Sequence, residues 1–181
     1  MTTRRELLAL GLTGLAGLVH AGCGYSLTGR GNFLPSYIRM IGIPTFTNNT
    51  SVFDLERVLT ERVRTEFIGR GRYQVTPDTE GVDAVLSGTV VSVTLEPSGF
   101  NQNNQVTRYI LRMTLKLEFR DLKAGKLIWE NPAQSFDEEY DLSTGTGALD
   151  AGALLGTDRT ALERVSTDVA RRTVSAILEA F

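Results

Sequence analysis

The stretch Arg108–Arg120, RYILRMTLKLEFR, decides the fold. Tyr109, Leu111, Met113, Leu115, Leu117 and Phe119 take every second position, and Arg108, Arg112, Thr114, Lys116, Glu118 and Arg120 fill most of the places between. Successive side chains of a strand point to opposite faces, so this run predicts a strand with one face on a core and the other in water. A sheet that is wet on one side is characteristic of antiparallel pairing.

On the upstream side, Asp83–Leu95 (DAVLSGTVVSVTL) is rich in β-formers. On the downstream side, the turn Leu122-Lys123-Ala124-Gly125 leads into Lys126–Glu130 (KLIWE), which predicts a meander of three strands. An earlier strand is expected over Ile38–Phe46 (IRMIGIPTF), with Pro44 placing it at an edge or at its own end. Two helices complete the set. Ser51-Val52-Phe53-Asp54 has capping-box spacing, and Leu55, Val58, Leu59, Val63 and Phe67 follow on one face until Gly69 and Gly71. Asp158–Ala180 repeats the pattern with Leu162, Val165, Val169, Ala176, Ile177 and Ala180. The order β-α-β-β-β-α predicts an α+β fold: a four-stranded, mostly antiparallel or mixed sheet with two helices packed on one face.

The bulk composition suits one ordinary globular domain, with 181 residues, 41% of them hydrophobic and 22% charged. Lys and Arg number 19 against 21 Asp and Glu, so there is no basic field of the kind that non-specific nucleic-acid binding requires. The amino terminus reads as a targeting segment. Arg4 and Arg5 precede the apolar run Leu7–Val19, which is too short for a membrane-spanning helix of about 20 residues, and Ala21-Gly22-Cys23 closes it. Charge, apolar run, small residues and cysteine in that order resemble a bacterial lipobox. Residues 1–22 are then a cleaved signal peptide, 23–36 a tether and 37–181 a single domain. The cofactor expectation is none, apart from a diacylglycerol and an N-acyl chain on Cys23. His20 departs from the usual lipobox leucine. Thr3–Leu8 also looks like a short twin-arginine export signal. Gly24 after the cysteine favours the outer membrane, by resemblance to enterobacterial sorting.

Much of the usual catalytic chemistry is missing. The one histidine, His20, leaves with the signal, which removes Ser-His and Cys-His nucleophiles and His-based metal sites. There is no phosphate-binding glycine motif. The acidic run Phe136–Asp141 (FDEEYD) lacks a second acidic cluster to face it, so a carboxylate glycosidase is not supported, and a solvated strand end is the simpler reading. Ser143–Gly156 reads as a flexible connector. Two features remain as binding candidates. Arg108, Arg112, Lys116 and Arg120 recur every fourth residue, about 13 Å apart on the polar face of one strand. They form either a cationic ridge for an anionic ligand or one half of cross-strand pairs with Glu118, Glu130 or Glu138. The polar loop Glu96–Val106 carries Phe100 at its centre, and loops at sheet ends commonly make contacts.

Taken together, several stretches resemble the LptE family of lipopolysaccharide-assembly lipoproteins: Cys23-Gly24-Tyr25-Ser26-Leu27, Leu34-Pro35, IPTFTNNT (Ile43–Thr50), LTERVRTEF (Leu59–Phe67), DAVLSGTV (Asp83–Val90), GKLIWEN (Gly125–Asn131) and EEYD. The resemblance implies a non-enzymatic lipoprotein, anchored to the periplasmic side of the outer membrane, that plugs an LptD-type β-barrel, assists its assembly and binds lipopolysaccharide. Arg108, Arg112, Lys116, Arg120 and Phe100 are then candidate contacts with ligand phosphates or the barrel lumen. IPTFTNNT and GRYQVT (Gly71–Thr76) also look like lipoproteins that activate peptidoglycan synthases or build secretion pores, which is the alternative function.

Overall fold

In the computed structural model, which describes residues 34–70, 72–141, 155 and 159–180, the alternating run is the middle of a sixteen-residue strand, β5 (Val106–Asp121). It pairs antiparallel on one side with β4 (Ala84–Phe100) and on the other with β6 (Lys126–Asp141). Tyr109, Leu111, Met113, Leu115, Leu117 and Phe119 are each at most 2% exposed, so the predicted core face is the observed one. Three short strands extend the sheet: β1 (Met40–Gly42), β2 (Thr47–Asn48) and β3 (Gln74–Thr76). The order is β3-β1-β4-β5-β6, with β2 also on β4, and the β1–β3, β1–β4 and β2–β4 pairs are parallel.

Helices α1 (Leu55–Gly69) and α2 (Arg159–Glu179) share one core with the inward side of the sheet. They run in the same direction, since Arg62 reaches Glu163 at 3.2 Å and Arg70 reaches the Ser175 hydroxyl at 2.9 Å. The Phe67 ring lies 6.5 Å from that of Phe119 and meets Tyr73 edge-on at 6.2 Å, which docks α1 on β5. Aromatic contacts of this kind add to burial through favourable ring geometry.

The expected class stands as an α+β fold with two helices and a mixed sheet, but the sheet has six strands rather than four. Of the expected strand Ile38–Phe46 only Met40–Gly42 is strand, since Pro44 has no N–H to give a ladder, and β2 follows beyond it at Thr47–Asn48. The Arg64 guanidinium takes the Ile43 carbonyl instead, at 2.6 and 2.9 Å, and the Thr60 hydroxyl accepts the Phe46 N–H at 2.9 Å. β3 is three residues long, too short to show alternation. The loop Glu96–Val106 shrinks to five residues, because β4 continues to Phe100 and β5 begins at Val106.

Helix α1 starts after Asp54, later than the capping box at Ser51 implies. Asp54 has φ 65° and makes no side-chain cap; its carboxylate is held by Arg57 instead. On α2 the buried stripe runs through Val174 and Leu178, while Ala176 is half-buried and Ala180 exposed. The signal peptide, Cys23, the tether as far as Phe33, Gly71 and all of Ser143–Gly156 except the buried Leu155 lie outside the described residues.

Two glycines should respond oppositely to alanine. A Cβ on Gly42 would lie 2.3 Å from the Asp78 carbonyl oxygen, whereas one on Gly69 meets nothing within 4 Å. Gly42→Ala should cost about 1–3 kcal/mol through forced backbone movement, and Gly69→Ala should add about 0.5–1 kcal/mol by restricting the unfolded chain. Urea denaturation of the two variants checks both signs.

Candidate functional site

The face of the sheet away from the helices carries the predicted row of cations, and the register of β6 decides what faces them. Arg108 is opposite Asp141 and Arg112 opposite Asp137. Arg108 Nε donates to Asp141 Oδ1 at 2.8 Å, with Glu139 at 3.8 Å. Arg112 grips Asp137 through both Nε and Nη2, each at 2.9 Å, and also has Glu96 of β4 at 3.6 Å. Lys116 pairs with Glu118 on its own strand at 2.9 Å. Arg120 alone of the four has no ion-pair partner among the described residues, and its charge acts on Glu118 at longer range.

These pairings perturb the groups in the directions expected of opposite charges. The hydrogen bond from Arg112 holds the Asp137 carboxyl below its usual value, and Lys116 does the same for Glu118. The ridge is therefore real as a row but locally compensated. Three of its members spend their charge on carboxylates, mainly those of the acidic run, and only one of the three carboxylates proposed as partners, Glu118, is used. Glu138 lies on the core side of β6 and reaches Arg164 of α2 at 3.7 Å, while Glu130 influences Lys116 only at longer range. A sequence signal for the other partners exists: Arg108 and Arg112 are spaced by four, as are Asp137 and Asp141, and antiparallel strands bring such pairs together. All members stay accessible, with Arg108, Arg112 and Lys116 side chains 42–52% exposed.

Phe100 stands at the far tip of the β4–β5 hairpin, 58% exposed. The turn beneath it is built by Asn101. Its Oδ1 accepts the backbone N–H of Asn103 at 2.9 Å and of Gln105 at 3.0 Å, its Nδ2 donates to Gln105 Oε1 at 3.0 Å, and Asn104 takes φ 62°. Asparagine tolerates that left-handed conformation and closes turns with its own side chain. The asparagine-rich composition therefore makes a hydrogen-bonded turn that presents Phe100.

A second polar cluster, which the sequence did not single out, lies at the opposite end of the sheet. Asp121 is fully buried; its carboxylate accepts from the Tyr37 hydroxyl and from the Ala124 N–H at 2.8 Å. Burial pushes the Asp121 carboxyl up, but the hydrogen bonds from Tyr37 and from the Ala124 and Lys123 amides outweigh it, leaving the group below its ordinary value. Asp83 accepts the Arg39 and Met40 N–H groups at 2.7 and 2.9 Å and an ion pair from Lys123 at 2.6 Å. It ties the start of β1 to the turn after β5. Its carboxyl is pulled from 3.8 to about 2, first by the Lys123 hydrogen bond and then by the two amides.

A family model described as "LptE: Lipopolysaccharide-assembly" matches residues 38–177, which include all six strands and nearly all of both helices. No curated protein matches by sequence. Among solved structures, a PelC dodecamer from Paraburkholderia phytofirmans is 15% identical with a TM-score of 0.50, covering 82% of this chain and 94% of that one, and so shows a shared fold. Rare lipoprotein B from Shewanella oneidensis is 15% identical with a TM-score of 0.48, covering 77% and 93%. A minor lipoprotein from Acinetobacter baumannii is 16% identical with a TM-score of 0.46, covering 81% and 94%.

The Asp83 cluster gives a pH signature. A carboxylate with a lower pKa folded than unfolded adds stability above its unfolded value, and that stability is lost as the pH falls through the folded value. Asp83→Asn should therefore destabilise at neutral pH, and its difference from the parent protein should shrink between pH 3.8 and about 2. Urea midpoints measured across that window check the convergence.

Proposed function

Because the chain belongs to the LptE lipopolysaccharide-assembly family, we propose that it is a non-enzymatic outer-membrane lipoprotein that assists an LptD-type β-barrel in assembling and in inserting lipopolysaccharide into the outer leaflet. The observation that carries this reading is the extent of the family match, 38–177, over the same residues that build the sheet and both helices. In this reading residues 1–22 are removed, Cys23 becomes the acylated first residue, 23–36 is a tether and 37–181 is the working domain on the periplasmic side. Several acyl chains hold far better than one, each buried CH₂ contributing about 0.8 kcal/mol, so the domain stays in water while the chain stays at the bilayer.

The two faces of the sheet then have separate tasks. The helices seal one face, and the other is free to meet the inside of a barrel or a phosphorylated glycolipid. Arg108, Arg112, Lys116 and Arg120 are the proposed contacts on that face, with Phe100 as the apolar contact at the tip. Exposed ion pairs contribute only about 0–1 kcal/mol each. A ligand phosphate or a carboxylate of the barrel can therefore replace Asp137 or Glu118 as partner at small cost. Exchange of partners, rather than a bare cationic surface, is what the compensated ridge offers.

Three measurements test the parts of this reading. Mild detergent extraction of the full-length protein from its native envelope, followed by mass spectrometry, should recover a stoichiometric large β-barrel; a peptidoglycan synthase or self-assembled rings in its place would overturn the partner. Cys23→Ala should move the protein from the membrane fraction to the soluble one. Replacing Arg112 and Lys116 together by Glu should abolish binding of lipopolysaccharide to the purified protein while circular dichroism stays unchanged, and unaltered binding would remove the ridge from the site.

A further inference from the structure

Two adjoining concavities open at the end of the sheet where β1, β3 and β4 begin and β5 ends. The larger, about 590 Å³, is lined by Arg39, Arg72 and Lys123 with one carboxylate, Asp83. The smaller, about 420 Å³, shares Arg39 and Arg72 and reaches Leu34 and Tyr73. Cations outnumber carboxylates three to one in the first, and there is no carboxylate in the second. Beside them stand two of the large apolar side chains that are exposed among the described residues, Tyr37 at 43% and Leu122 at 42%. The Tyr37 ring is held in place from two sides, by its hydroxyl on buried Asp121 and by Lys123, whose Nζ lies 5.9 Å from the ring centroid. Guanidinium groups bind phosphate oxygens in a planar, bidentate way, and tyrosine is at home where an apolar body meets a polar boundary. Phe100 is far away, since the sixteen steps along β4 from Ala84 span about 55 Å.

The chain arrives at this end. Leu34, the first described residue, is 5% exposed in the core beside these concavities, and ten residues, or eleven steps along the chain, separate it from Cys23. Eleven extended steps reach at most about 40 Å, so an acylated Cys23 keeps this end near the bilayer at high effective concentration.

We propose that this end of the domain is a membrane-contact surface, on which Arg39, Arg72 and Lys123 take the phosphates of phospholipid headgroups while Tyr37 and Leu122 rest against the interface. It rests on the lipid-anchor reading of Cys23 and adds to it a second, electrostatic hold that sets the orientation of the domain. The long hairpin then points away from the leaflet that carries the anchor, with Phe100 at its distant end. Each basic side chain held at an anionic surface strengthens the contact about fivefold.

The full-length acylated protein provides the test, because Cys23 is the only native cysteine and acylation occupies it. A Leu122→Cys variant carrying an environment-sensitive fluorophore is reconstituted into vesicles of phosphatidylglycerol or of phosphatidylcholine. The expected result is a blue-shifted, quencher-protected probe in phosphatidylglycerol and much less protection in phosphatidylcholine, with a probe at Phe100→Cys unaffected by either. Reversing Arg39 and Arg72 to Glu should lower the protected-to-free ratio at least about fivefold per side chain, and Gln at both positions should give an intermediate loss with the fold intact by circular dichroism. Flotation reads the anchor separately. Protein that floats with both vesicles while its Leu122 probe ignores headgroup charge overturns the contact surface and leaves the anchor standing. Protein that floats with neither overturns both.

Discussion

β5 is hydrogen-bonded along nearly its whole length on both edges, to β4 and to β6, and its two faces carry opposite chemistry. That double pairing constrains everything beside it. A one-residue slip against either neighbour would move leucines into water and arginines into the core, so the registers of β4 and β6 follow from β5. Opposite Phe119 stand Leu86 and Trp129; opposite Met113 stand Val93 and Phe136. The apolar side of this three-stranded ribbon is what α1 and α2 cover, and Phe67 on Phe119 is the contact through which the first helix is seated.

The same pairing settles the electrostatics of the wet face. β6 runs antiparallel to β5, so its acidic residues arrive in reverse order against the arginines, Asp141 to Arg108 and Asp137 to Arg112. The face thereby gains a ladder of exposed ion pairs, which contribute little to stability but leave every charge accessible for exchange. Such a surface suits a partner that is polar and itself charged better than one that is apolar. Among the described strand residues, its most exposed large apolar side chain is Phe100 at the tip, held out by the Asn101 turn, with Val91 of β4 next at 46%.

The two ends of the molecule differ for a related reason. At the Phe100 end the sheet is a simple hairpin closed by local hydrogen bonds. At the other end several segments converge, and their polar groups must be satisfied together. Asp83 and Asp121 meet that need by binding backbone N–H groups, Tyr37 and Lys123, which joins the segment before β1 to the start of β4 and to the turn after β5. Buried carboxylates are tolerable where donors surround them in this way. The Arg39 and Arg72 side chains line the concavities there.

How much of this was legible depended on the range of the interaction concerned. The sequence by itself determined β5, the turn at Gly125 with its φ of 65°, both helices and the sealed and wet faces of the sheet, because each is written in periodicity or in a local backbone requirement. Recognition of the family likewise rested on short stretches that remain contiguous. The end of the first strand at Gly42, the short β2 beyond Pro44, the three-residue β3, the left-handed Asp54 and the charge partners of Arg108 and Arg112 came only with the tertiary structure. Strands of two or three residues carry no period, the capping-box spacing at Ser51 does not mark the helix start that follows the left-handed Asp54, and an ion pair across strands depends on register. Register is decided by the whole ribbon at once, through burial of one face, and no local stretch contains it.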